Sequence, residues 1–586
     1  MGLRGGVGWL MVSVALAACT TESERLGGNL LDAVRQGDVA LVREHLEHGA
    51  DLKRSDRQGR GPLHLCAARA DAAVCAELLR AGAAVDATDH RGRTPLHLCA
   101  AGGGRTAALA LLGAGADPQA RAGDGSTPLH LCAAGGWLAV CRVLLERGAD
   151  PAARDALGLT PLHRAAAARQ PPAVEQLLAA GAEPDLRDYE GRSALHLAIE
   201  VGDRELTGAL LAGGADVDAA DQHGWTPLHL AVDRGRDGAL AQLLAAGGAP
   251  GQRDQDGLSP LHHAVQLGRL QAVERLLAAG VAVDQPDATD RPPIYWALVS
   301  DRPQVAALLI ERGADPAARY HAGRTPLHAA AAGGHQALAR QLLARRVDVD
   351  VRDNRGETPL HLALLARRRD MAALLLDHGA SLRARDRYGQ TPLHLATSVG
   401  DAAGMRLLLD RGADPNATLP DGQTPLHYAA GLDRPALIRL LLDRGARLDP
   451  PDLTRRTPLF IAAFSGAWSA FALFVARGAS LRVRDHHSTT LLHLAATHGR
   501  LPLIERLLAA GLDVDARDEW GLTPLHRAVR HGKREAAAAL LAAGAAPDAR
   551  TVTGATPHDL AVRTGHRDLA AWLQKQATTA AAAERP

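Results

Sequence analysis

Thr94-Pro95-Leu96-His97 is followed 33 residues later by Thr127-Pro128-Leu129-His130, then by Thr160-Pro161-Leu162-His163 and, two periods on, by Thr226-Pro227-Leu228-His229. The position of the Thr recurs from 61 to 556 without insertion or deletion, which makes 16 copies. A degenerate seventeenth precedes them: Gly28 stands 33 residues before Gly61, and Leu31-Asp32-Ala33-Val34 leads on to Leu46 and Gly49-Ala50-Asp51. A fixed period of this length decides the architecture before composition does. Each copy is one small unit that cannot bury its apolar face alone, so stability has to come from stacking on neighbours.

The slots around the word say what each copy contains. Asp56, Asp89, Asp155, Asp188, Asp221 and Asp254 open a turn, and Gly59, Gly92, Gly158, Gly191 and Gly224 supply its positive φ. The Thr-Pro pair then starts a helix, with Thr as cap and Pro in the first turn. A second Gly slot (Gly103, Gly136, Gly202, Gly235, Gly268) ends that helix. Paired leucines such as Leu78-Leu79 and Leu144-Leu145 form the core stripe of a second helix, closed by Gly82, Gly115, Gly148 and Gly181.

Period and word together resemble the ankyrin repeat. The resemblance covers Gly28 to about Leu573 and implies an all-α solenoid of about 17 repeats, each a β-turn plus two antiparallel helices. It also implies a function: binding or clustering other proteins on a concave face lined by the turn tips and the exposed side of helix one. We expect an array over 28–573 and a disordered tail over 574–586.

Composition agrees with many shallow cores. Hydrophobic residues make up 47% but aromatics only 3%, with 60 Gly. Lys plus Arg (66) nearly cancels Asp plus Glu (65), which argues against nucleic acid as a partner and against a surface held to lipid by charge. No phosphate loop, Gly-x-Ser-x-Gly or Cys-x-x-Cys occurs, and strict register leaves no insertion in which an active site could grow. Neither an enzyme nor a cofactor is expected.

The first residues read differently. Arg4 is the only charge before an apolar run from Val7 to Ala18, too short for the ~20 residues that span a bilayer. It reads as an export signal over 1–18. Leu16-Ala17-Ala18-Cys19 resembles the lipobox of bacterial lipoproteins, which implies lipidation of Cys19, a polar tether over 19–27 and, with Thr20 next, the outer membrane facing the periplasm. The membrane would be reached through that anchor alone. A plain signal that ends in Cys by chance is the alternative.

Thirteen of the 27 His fall in one slot, three after the Thr, from His64 and His97 to His493 and His526. There the ring is expected to hydrogen-bond the neighbouring turn. His486 and His487 lie on a turn instead, and His498 and His531 share a slot in successive repeats, about one helix spacing apart where a metal needs donors at ~2.1 Å. No metal site is expected. Cys66 with Cys75, and Cys132 with Cys141, repeat a spacing of nine inside one repeat, while Cys99 faces Ala108. Either these are two disulfides and one free thiol, or they are small buried residues copied with their repeats.

Partner-binding candidates stand out by rarity. All four Phe, at 460, 464, 471 and 474, share one repeat with Trp468. Phe471 and Phe474 occupy core slots, whereas Phe464 takes an exposed one. Trp520 sits on a turn tip two repeats on, with His487, His498, Arg530 and His531 nearby, and aromatics and Arg are the usual anchors of protein interfaces. A bulkier core is the competing reading. A weaker cluster holds Tyr189, Glu200, Trp225, Asp233 and Arg234. One repeat departs from the pattern: Asp290 replaces the turn Gly, Pro292-Pro293-Ile294-Tyr295 replaces the word, and Asp301-Arg302-Pro303 replaces the first stop. We expect a monomeric, envelope-tethered scaffold. The alternatives are a secreted effector acting on host proteins and a structural spacer without a ligand.

Overall fold

A computed structural model describes residues 29–583, with side chains as far as residue 576. The export signal over 1–18, Cys19, the tether and Gly28 lie outside the described residues. The array divides into two compact units, the first ending at Gly313 and the second beginning at Ala314.

Both units are built from paired short helices, such as Pro95–Gly102 with Arg105–Gly113 and Pro524–Arg530 with Arg534–Ala542. Among the described residues there is no strand, only two isolated bridges, Tyr320 with Arg324 and Arg484 with Thr490. The same slots bury in each copy: Leu96, Leu129 and Leu162 of helix one, and Leu78, Leu111, Leu144 and Leu177 of helix two. No helix among these residues is long and apolar enough to cross a membrane.

The turn needs its glycine twice over. Gly92 has φ of 71°, and a Cβ there would stand 2.8 Å from the amide nitrogen of Gly123. That amide donates to the Arg91 carbonyl at 2.7 Å, so the turn tips of successive repeats touch backbone to backbone. The turn Asp is buried as a charge and paired. Asp89 accepts the amides of Arg91 and Arg93 at 2.9 Å, and the Arg93 guanidinium at 2.8 Å.

The Thr of the word acts less directly than expected. In most repeats the backbone N–H of the Thr donates to Nδ1 of the His three residues on, 3.1 Å for Thr94 and His97, and the Thr hydroxyl sits on the same nitrogen at 2.9 Å. The imidazole is therefore the acceptor that caps the helix. In a few repeats the Thr hydroxyl also takes the N–H three residues on, at 3.4 Å for Thr160 and His163, and at 3.3 Å for Thr457 and Phe460, where Phe replaces His.

The departing repeat is the last of the N-terminal unit, and it keeps both helices, Pro293–Val299 and Pro303–Glu311. Asp290 and Asp301 adopt the positive φ of the glycines they replace, at 59° and 55°, which short acidic side chains tolerate better than most. Asp287 there takes Arg291 at 2.8 Å and the Trp296 indole N–H at 3.0 Å.

Cysteine positions are explicit. Cys66 is joined to Cys75 and Cys132 to Cys141, with Cα atoms 5.5 and 5.7 Å apart, each bond linking the two helices of one repeat. Cys99 is free and buried, and burial pushes its thiol up to about 12. The last helix runs Arg567–Ala583, so the expectation of a disordered tail from 574 is corrected as far as Ala583. Its run of alanines contains no Gly or Pro to stop the helix.

Candidate protein-binding surface

In the C-terminal unit the candidate residues gather in two neighbouring groups. The first surrounds Trp468, which is half-buried at the start of Trp468–Ala476. His498 meets its ring edge-on at 5.6 Å, and Arg500 lies over it at 4.8 Å. The His498 Nε2 bonds the Phe464 carbonyl at 3.2 Å, which ties consecutive repeats together under the exposed Phe464 ring (56% exposed). Phe460, Phe471 and Phe474 belong to the core, so bulk filling accounts for three of the four phenylalanines and not for Phe464.

The second group surrounds Trp520, 46% exposed on its turn tip. His487 packs on it at 4.8 Å and pairs with Glu519. Arg527, one helix turn into Pro524–Arg530, lies 5.7 Å from the Trp520 ring and is held from beneath by Asp518 at 2.8 Å. Trp520, Arg527, Arg530, Val552 and Leu560 bound a cavity of about 450 Å³. His531 lies just beyond the helix, held below its usual pKa first by burial and then by the charges of Arg530, Arg527, Lys533 and His498.

Four members of this surface, Arg500, Arg527, Val552 and Leu560, were not singled out by the sequence. Arg527 stands in a slot usually held by Leu, which is a usable signal; Arg500, Val552 and Leu560 carry none. Val552 is 76% exposed on the next turn tip, and only the stacking of repeats brings it beside Trp520.

The N-terminal unit holds the weaker cluster. Glu200, Trp225 and Arg234 share a cavity of about 470 Å³ with Glu190 and Arg192. Arg234 contacts both Glu200 (3.4 Å) and Asp233 (2.9 Å), and Arg192 contacts Glu190 at 3.0 Å. Tyr189 is 68% exposed and does not line the cavity; Asp233 does not line it either but is tied to it through Arg234.

One trio comes close enough to suggest a metal: His229, Asp254 and His263. Its chemistry argues against one. His229 Nδ1 accepts the Thr226 N–H at 3.2 Å, so its proton is on Nε2, which donates to the Leu258 carbonyl at 3.1 Å. Neither nitrogen is left to ligate, and His263 donates to Asp254 at 2.8 Å as Arg527 does to Asp518.

A family model described as ankyrin repeats (3 copies) matches residues 30–122, 108–188, 167–249, 235–320, 317–386, 393–485 and 492–581. No curated protein matches the chain.

Proposed function

The chain belongs to the ankyrin-repeat family, whose repeats are generally protein–protein interaction modules and whose helical solenoids are typically non-enzymatic scaffolds, and from that premise we propose that it is an envelope-tethered, monomeric scaffold that binds partner proteins and catalyses nothing. The observation that carries the reading is the surface around Trp520 and Phe464. In a chain with 3% aromatics, two large rings stand exposed beside Arg500, Arg527 and Arg530 on the face of the turn tips and first helices. Aromatic and Arg side chains on a rigid scaffold lose little entropy on docking, which is why they dominate binding energy at interfaces.

Tethering rests on Leu16-Ala17-Ala18-Cys19 and the apolar run before it. Several acyl chains on Cys19, at about 0.8 kcal/mol per buried methylene, hold a protein at a membrane where a single chain is marginal. Paired cysteines fit an oxidising envelope. Crosslinking the tethered chain in intact cells, followed by mass spectrometry, tests the reading. One or a few proteins should be enriched repeatedly over an equally abundant lipoprotein control. Crosslinks spread over abundant envelope proteins in proportion to their amounts would leave a spacer, and recovery of the chain outside the cell would leave a secreted effector.

A further inference from the structure

The near-neutral total charge of this chain conceals a division. From Ala314 on there are 36 Lys and Arg against 27 Asp and Glu, and through Gly313 there are 30 against 38, so net charges of +9 and −8 sum to the overall +1. The surplus is spread over several repeats, and at the Trp520 surface the local cations lie close together. Arg527, Arg530, Lys533 and His498 all lie near enough to His531 to disfavour its protonation. Arg563, exposed one repeat on, repeats the slot of Arg530.

The local acids are already engaged. Glu519 pairs with His487, and Asp518 holds Arg527, whose Nε is nevertheless buried without a partner. Among the described residues no ion pair reaches Arg530. The cavity beside these cations has apolar walls from Trp520, Val552 and Leu560.

We propose that this surface docks an acidic segment of a partner protein, one apolar side chain seated against Trp520, Val552 and Leu560, and flanking carboxylates on Arg530 and Arg527. The inference rests on this surface being the docking surface and adds the chemistry of what docks. Guanidinium and carboxylate match in planar, two-bond geometry, so Arg530 recognises such a group better than a point charge would. An apolar cavity of this size takes a side chain and rejects a bare phosphate, which would lose water there without replacing it. The N-terminal cavity supplies the contrast. Both its cations are already on carboxylates, and Glu190, Glu200, Asp221 and Asp256 line it, against Glu519 alone in the C-terminal cavity, where Arg530 has no ion pair among the described residues, so an acidic segment meets more repulsion there.

A random dodecapeptide library displayed on phage and panned against the full chain tests this, with Arg530→Glu, Arg530→Lys and Trp520→Ala variants of unchanged helicity as comparators. Recovered peptides should be rich in Asp and Glu around one Phe, Leu or Trp. A fluorescein-labelled member should bind at least tenfold more weakly to Arg530→Glu and to Trp520→Ala, lose less on Arg530→Lys, and weaken as salt rises. Neutral or basic peptides that need Trp520 but ignore Arg530→Glu would overturn the acidic partner and leave the docking surface standing. Peptides indifferent to both positions would overturn both. Capture of phosphatidylglycerol-containing vesicles in an Arg530-dependent manner, with no peptide enriched, would replace the protein segment by a lipid surface and so overturn the inference.

Discussion

The Nε2 of His97 donates to the carbonyl of Ser126 in the next repeat at 3.0 Å, while its Nδ1 accepts the N–H of Thr94 at 3.1 Å. One neutral ring thus caps its own helix and ties it to the following turn. His130 does the same to Leu159, His163 to Arg192, His328 to Glu357 and His493 to Leu522. Protonation would put a second donor against the Thr N–H, so each such ring must stay neutral for the fold to persist.

That sets the direction of the pH dependence. Burial lowers the pKa of His97, and holds His229, His262 and His394 at about 4 against 6.5 in an unfolded chain. A depressed histidine pKa means the unfolded state binds more protons, so stability is fully present above pH 6.5 and is lost as pH falls from there toward 4. Urea midpoints should be level between pH 7 and 8.5 and fall clearly at pH 6 and again at pH 5. A midpoint that is constant or rises on acidification would contradict this account of the slot.

The cysteines give a thiol count. Native chain should show no fast-reacting thiol, since Cys99 is buried with its pKa near 12, and unfolded unreduced chain should show one. This count takes mature protein whose Cys19 is acylated or replaced by Ser. Reduction should destabilise each cross-linked repeat by roughly 2–3 kcal/mol, the loop-closure value for so short a span. Five thiols after unfolding of envelope-purified protein would show that neither pair forms.

Cys19→Ser should release the chain from membranes or leave it unprocessed with its leader attached. Fractionation after a high-salt wash decides the matter, because salt strips proteins held by charge and not by acyl chains. A variant that stays with the membrane would remove the lipid anchor from the proposed function.

How much of this was legible in the sequence follows from what a register can and cannot say. The recurring Thr-Pro-Leu-His word places Leu96, His97 and Gly103 because each slot meets the same local surroundings in every copy. The same register shows Phe464 and Trp520 in exposed slots. It cannot show that Trp468 meets His498, that Arg527 joins Trp520, or that Tyr189 stands apart from Trp225, because those depend on distances between side chains of stacked repeats. The helix beyond 574 was missed for a different reason: low-complexity alanine reads as tail, yet has the highest helix propensity.

The central claim is that partner proteins dock on the C-terminal aromatic and cationic surface, and the most direct measurement is retention of the crosslinked partner on resin carrying Phe464→Ala or Trp520→Ala chain, with helicity recorded on the same samples. Both rings are about half exposed, so the helical signal and melting temperature should be unchanged while affinity falls by about 2 kcal/mol or more. Undiminished retention on both variants would contradict the claim and direct attention to Trp225 and Glu200 in the N-terminal unit.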